Sequence, residues 1–146
     1  IEEKKIFPKL QLCAEKHIGT TAQEIICLNR AVYDRDGIVS FCSDSGLGSR
    51  IDANGVCKVE CSKLDTALQN HDVSFISMDI EGAERGALKG AERTIRTFKP
   101  KLAISIYHLN DDYSVIPQII NNIRSDYEFY LDCTTGFGGE TILFCR

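Results

Sequence analysis

Residues 73–91, VSFISMDIEGAERGALKGA, constrain the fold more than any other stretch of the chain. Val73, Phe75, Ile76 and Met78 form a short apolar run with the length and composition of a buried strand. Ala83, Ala87, Leu88, Ala91 and Ile95 then recur with the spacing of one helix face. Asp79, Glu81 and Gly82 occupy the junction between them. A strand that turns into a helix through two carboxylates and a glycine is a unit of an open α/β sheet. Such sheets bind ligands outside the carboxyl ends of their strands, where helices begin. The junction is therefore the first place to look for chemistry.

The flanking sequence extends this unit in both directions. Residues 1–18 set Ile6, Leu10 and Ala14 on one helical face, with Pro8 tolerated in a first turn and Gly19 as a stop. Residues 24–32 read as a buried strand, Asp34-Arg35-Asp36-Gly37 as a turn and residues 38–42 as a second strand, which together predict a hairpin. A polar loop over 43–49, a short strand over 56–61 and a helical turn ending near Asn70 follow. Gly90 predicts a helix break near Lys89, and Pro100 ends the helical region. Residues 101–107 predict a second buried strand, closed by His108. Val115, Ile116, Ile119, Ile120 and Ile123 predict a helix over 112–123 with Pro117 near its start. Strands over 128–133 and 140–145, joined by the loop TTGFGG, close the chain. With neither repeat nor linker, the reading is one domain over residues 1–146. The strand–helix–strand alternation predicts parallel strands with helices on both faces, and the final hairpin adds an antiparallel edge.

Composition narrows the partners. A chain of 146 residues with 43% hydrophobic and 26% charged residues can bury a single ordinary core. No apolar run approaches the roughly 20 residues of a membrane span, and no signal-peptide pattern opens the sequence, so the expectation is a cytoplasmic protein without a membrane partner. A net charge of −4 with scattered lysines and arginines argues against nucleic acid, whose binders present a basic face. The seven cysteines are expected to be mostly buried thiols in a reducing compartment. Cys57 and Cys61, followed by His71, have no second pair of ligands, and on a strand they would stand about 13 Å apart. No metal site is expected there.

Three blocks carry more specific information. MDIEGAERGALKGAERTI, PKLAISIYH and GGETILFC resemble, in order and spacing, the closing half of the FkbM-type methyltransferase domain. The resemblance covers almost the whole chain. It implies an α/β, Rossmann-like class I methyltransferase fold, with a mixed sheet ending in an antiparallel C-terminal hairpin. It implies S-adenosylmethionine as cofactor. It also implies that the first two strands, with their Gly-rich turn and ribose-binding acid, are lacking, because Gly46-x-Gly48 lies in a polar loop after a hairpin. About the last two thirds of an N-terminally truncated domain is then expected, with strand edges open near Ile25 and Phe75. A rearranged sheet, strand exchange within a homodimer, or origin in a longer chain would each account for those edges. The chain alone is expected to hold part of a cofactor site and to be inactive.

Methyl transfer to a hydroxyl needs an aligned acceptor and often a proton acceptor. The resemblance places Asp79 nearest the reaction centre, as acceptor-positioning group or base. Glu81 follows at a helix N-terminus that would stabilise its charge, with simple helix capping as the alternative. His108 closes the next strand at the same sheet edge. It suits a general base, and a hydrogen-bonded structural histidine is the alternative. By position in the resembling fold alone, Asn29, Arg30 and Ala31 fall near the adenine of the cofactor. Ser49 and Arg50 follow a loop of the kind that varies with substrate. Glu140-Thr141 match the family's closing motif, which a strand start explains equally well.

Three readings of function follow. The first is an O-methyltransferase acting on a hydroxyl of a sugar or small biosynthetic product. The second is a non-catalytic interaction module that keeps part of the fold. The third takes Asp79-x-Glu81 as a magnesium site for phosphoryl chemistry, although no phosphate cradle accompanies it.

Overall fold

A computed structural model of the chain describes residues 26–42, 49–69, 71–133 and 140–146. The expected helix over 1–18, the start of the strand over 24–32, most of the polar loop over 43–49, Asn70 and the closing loop TTGFGG lie outside the described residues. The chain divides into two units, Ile1–Arg30 and Ala31–Arg146. In the first, residues 26–30 are irregular rather than extended, and the Arg30 N–H donates to the Leu28 carbonyl. The predicted strand over 24–32 therefore reduces, in its described part, to the two residues that have a ladder partner.

In the second unit, β1 (Ala31–Val32), β2 (Gly37–Cys42), β3 (Arg50–Ile51) and β4 (Cys57–Ser62) form a mixed sheet in the order β1-β4-β2-β3. β4 runs parallel to β1, with Ala31 opposite Cys61, and antiparallel to β2, with Val39 opposite Val59. The expected β1–β2 hairpin is not formed, because β4 lies between the two strands. Residues 33–36 carry the chain around the end of β4 and are fastened there. The Tyr33 N–H donates to the Ser62 carbonyl, Cys61 Sγ–H donates to the Arg35 carbonyl, and Asp36 accepts from the Lys63 N–H and the Thr66 hydroxyl. A strong local turn signal reverses the chain but does not choose which strand fills the space beside it.

The second sheet carries the site. β5 (Phe75–Met78), β6 (Lys101–Ser105), β7 (Phe129–Cys133) and β8 (Thr141–Cys145) pair in the order β5-β6-β8-β7. β5 and β6 are parallel, with Ile76 opposite Leu102 and Met78 opposite Ile104. β8 runs antiparallel to β6, and β7 antiparallel to β8. The described strands thus make two mixed sheets rather than the single expected one, because β1 pairs only with β4 and β5 only with β6.

Four helices are found among the described residues of the unit: α1 (Leu64–Ala67), α2 (Glu84–Lys89), α3 (Glu92–Phe98) and α4 (Asp112–Ile123). Alternation puts Ile76, Met78, Leu102, Ile104, Leu143 and Cys145 on one face of the second sheet. They form one core with Leu88, Ala91, Ile95, Ile116, Ile120 and Ile123 from the helices. The described helices therefore cover one face, whereas helices on both were expected. Phe75 and Phe144 on the other face remain 56% and 37% exposed. The predicted break at Gly90 separates α2 from α3. A Cβ at Gly90 would lie 2.1 Å from the Tyr33 carbonyl oxygen, and one at Gly86 would lie 2.6 Å from the Tyr33 ring. The glycine spacing in ERGALKG therefore lets the β1–β2 connection press against α2. No described helix is long and apolar enough to cross a membrane.

Candidate active site

Because β5 and β6 are parallel, both release their chains at the same sheet edge. β5 leads into Asp79-Ile80-Glu81-Gly82, and β6 leads into Ile106-Tyr107-His108. Glu81 and Gly82 both have positive φ, 55° and 91°, so the backbone makes a left-handed turn before α2. Glycine adopts that conformation readily, whereas an L-residue such as Glu81 is strained in it. The Ala83 N–H closes the turn onto the Ile80 carbonyl. Strained backbone of this kind concentrates at working sites.

The side chains converge on His108. Its Nε2 lies 3.4 Å from Asp79 Oδ1 and 3.7 Å from Glu81 Oε2. Its Nδ1 lies 3.0 Å from Glu84 Oε1. The three residues that sequence reasoning singled out, Asp79, Glu81 and His108, are thus brought together. His108 is 9% exposed and Glu84 1% exposed, while Asp79 at 61% opens to solvent. The cluster thus runs from the buried Glu84 to Asp79 at the surface.

Two further members were missed. Glu84 is the carboxylate that stabilises the turn: its Oε1 accepts the Ile80 N–H at 2.8 Å, a role the sequence suggested for Glu81. The signal was available, because Glu84 lies on the stripe of Leu88, Ala91 and Ile95, where a glutamate has no business unless it is partnered. Tyr107 is the second. Its hydroxyl donates to Asp79 Oδ1 at 3.0 Å, and its ring centroid is 4.2 Å from that of His108. Burial, reinforced by the Asp79 hydrogen bond and the charges of Asp79, Glu81 and Glu140, pushes the Tyr107 phenol up to about 12. Tyr107 therefore stays a hydrogen-bond donor at neutral pH.

A second layer holds the loop after His108. Asp112, fully buried at the start of α4, accepts from Arg85 Nε at 2.7 Å and from the Leu109 N–H at 2.9 Å. Arg85 also pairs with Asp111. Residues 84 and 85 thus tie the α2 start to both sides of the site.

Asn29 and Arg30 belong to the Ile1–Arg30 unit, and Ala31 opens β1, opposite Cys61. Arg50 starts β3 and pairs with Asp52 at 3.4 Å. Thr141 opens β8, where its carbonyl accepts the Ile106 N–H and its hydroxyl accepts from Tyr113. Cys57 and Cys61 stand four residues apart on β4, and His71 is exposed after α1. Along the outer edge of β5 runs a groove of about 240 Å³ lined by Val32, Leu64, Leu68, Phe75, Met78 and Ile80, among others.

Comparison with known proteins adds independent information. Residues 9–130 match the profile of the methyltransferase FkbM domain. The chain is also similar to the crystal structure of methyltransferase FkbM from Methylobacillus flagellatus KT, with a TM-score of 0.77 and 29% sequence identity. That match covers 95% of this chain and 33% of the other, so the chain spans about a third of its length. No curated protein matches the sequence.

Proposed function

The chain belongs to the FkbM methyltransferase domain family, and on that premise we propose that it forms the acceptor-handling part of an S-adenosylmethionine-dependent O-methyltransferase. Its acceptor in this reading is a hydroxyl on a sugar or small biosynthetic product. The supporting observation is the convergence of Asp79, Glu81 and His108 within 4 Å at one sheet edge. A hydroxyl at the mouth of this cluster donates to Asp79, whose Oδ1 is held in place by the Tyr107 hydroxyl. One of the basic groups around it, His108 or a rim carboxylate, takes its proton. That leaves an alkoxide-like oxygen, which is what O-methylation requires.

The β5 groove is too small and too apolar to hold the cofactor. It is about 240 Å³, below the roughly 300–1,000 Å³ of small-molecule sites. Its lining is apolar apart from Ser77, with no carboxylate for ribose hydroxyls. In this proposal the chain holds only part of the cofactor, with Asn29, Arg30 and Ala31 as its candidate adenine neighbours. Titration calorimetry with S-adenosylhomocysteine tests this, using the present chain and one extended at its N-terminus. Binding only to the extended chain is the expected result. In that extended chain, His108→Gln should lower methyl transfer to a hydroxyl acceptor by about 10²-fold or more.

The apolar groove also favours a second reading, a non-catalytic module that keeps the fold for interaction. Failure of both chains to bind would select it.

A further inference from the structure

Three polar atoms in the site are buried and have no hydrogen-bond partner among the described residues: Glu84 Oε2, His108 Nδ1 and His108 Nε2. His108 Nδ1 comes within 3.0 Å of Glu84 Oε1, yet the contact lacks the alignment of a hydrogen bond. An imidazole and a carboxylate that approach so closely without bonding to each other point toward a common third partner. Unpartnered buried polar groups are costly, and native proteins keep few of them. Asp79, Glu84 and His108 can each direct one donor atom at such a partner, the three atoms lying within 4.8 Å of one another.

We propose that Asp79, Glu84 and His108 form a binding site for one divalent metal ion. The donor set is two carboxylate oxygens and one imidazole nitrogen, which suits a transition metal of the manganese-to-zinc series better than magnesium, an ion of all-oxygen sites. The site differs from an Asp79-x-Glu81 magnesium site in its key donor: Glu84, not Glu81, supplies the buried carboxylate. Glu84 is preset for the task, since its other oxygen is held by the Ile80 N–H. Such outer contacts orient metal ligands. Asp79, exposed at the mouth and held by Tyr107, leaves the outer side of the ion open to a ligand from solvent. The use of the ion rests on the methyltransferase reading: it would draw the acceptor oxygen in, make its proton more acidic, and leave Glu81 at the rim as proton acceptor. Metal binding itself does not depend on that reading.

Manganese(II) is the probe of choice, because the seven cysteines compete for zinc. Chelator-treated chain is titrated with Mn²⁺, and the free-ion electron paramagnetic resonance signal is followed. Loss of one equivalent of signal per chain is expected. Glu84→Gln and His108→Gln should each weaken binding at least tenfold, the low end of what even an outer-shell change costs. Both variants are checked for the wild-type circular dichroism spectrum. Glu92→Gln, on the exposed face of α3, should bind as wild type. Absence of binding to the folded wild-type chain would overturn the proposal and leave water as the partner of the buried atoms. Equal binding by folded Glu84→Gln and His108→Gln would overturn it too, placing the ion elsewhere. Neither result bears on S-adenosylhomocysteine binding, so the two proposals fail separately.

Discussion

Glu81 shows strain and function in conflict at a single residue. It holds φ of 55° and faces His108 across 3.7 Å. An L-residue in that region is disfavoured by about 1–2 kcal/mol, which glycine avoids at some entropic cost in the unfolded chain. Glu81→Gly is expected to be neutral or to stabilise by up to about 1 kcal/mol in urea unfolding. In the extended enzyme the same change should lower methyl transfer. Titration offers a second test at this scale. Burial pushes the Tyr127 phenol from 10.0 and the Cys145 thiol from 9.0 up to about 12. Both groups bind their proton more tightly when folded, so their contribution is complete below the unfolded values and is lost as pH rises toward 12. Thermal melts should therefore fall between pH 9 and pH 12. Tyr127→Phe removes the 2.7 Å bond to the Pro100 carbonyl, so it should start lower at neutral pH and decline less steeply above pH 10.

At the scale of elements, the short helices depend on one another for their ends. α3 has no capping side chain of its own; Asp65 of α1 supplies one. Its carboxylate accepts the Arg93 and Thr94 N–H groups at 2.9 and 2.8 Å and the Thr94 hydroxyl at 2.7 Å. Asp65→Ala should cost about 1–2 kcal/mol in urea unfolding, the range of a lost cap. Thr94 is 2% exposed, so its freed groups have little water to turn to. The α2–α4 pair is tied the same way by Arg85 and Asp112, which is why the loop carrying His108 keeps its place between them.

At the scale of the molecule, the outer edge of β5 is the weak point. Among the described residues β5 pairs only with β6, and Phe75 beside the apolar groove is 56% exposed. An open apolar edge invites pairing with another chain. Phe75→Lys should suppress concentration-dependent self-association of this chain in light scattering, with little change in its unfolding midpoint. Association unaffected by the substitution would locate the contact elsewhere, the exposed β7 edge with Leu131 being the next candidate.

What the sequence by itself determined was local. The helix Asp112–Ile123, the break at Gly90, the strands β5 and β6 and the Asp79–Gly82 turn could all be read from periodicity and turn residues, because spacing of apolar side chains depends only on neighbours along the chain. The convergence of Asp79 and His108 was legible too, since two parallel strands must end at one edge. Tertiary structure alone decided what sits beside what. It placed β4 between β1 and β2, with Ala31 opposite Cys61 and Val39 opposite Val59, pairings too distant along the chain for any turn motif to encode. It also buried Glu84 3.0 Å from His108, because only the packed sheet removes the water that would otherwise satisfy both.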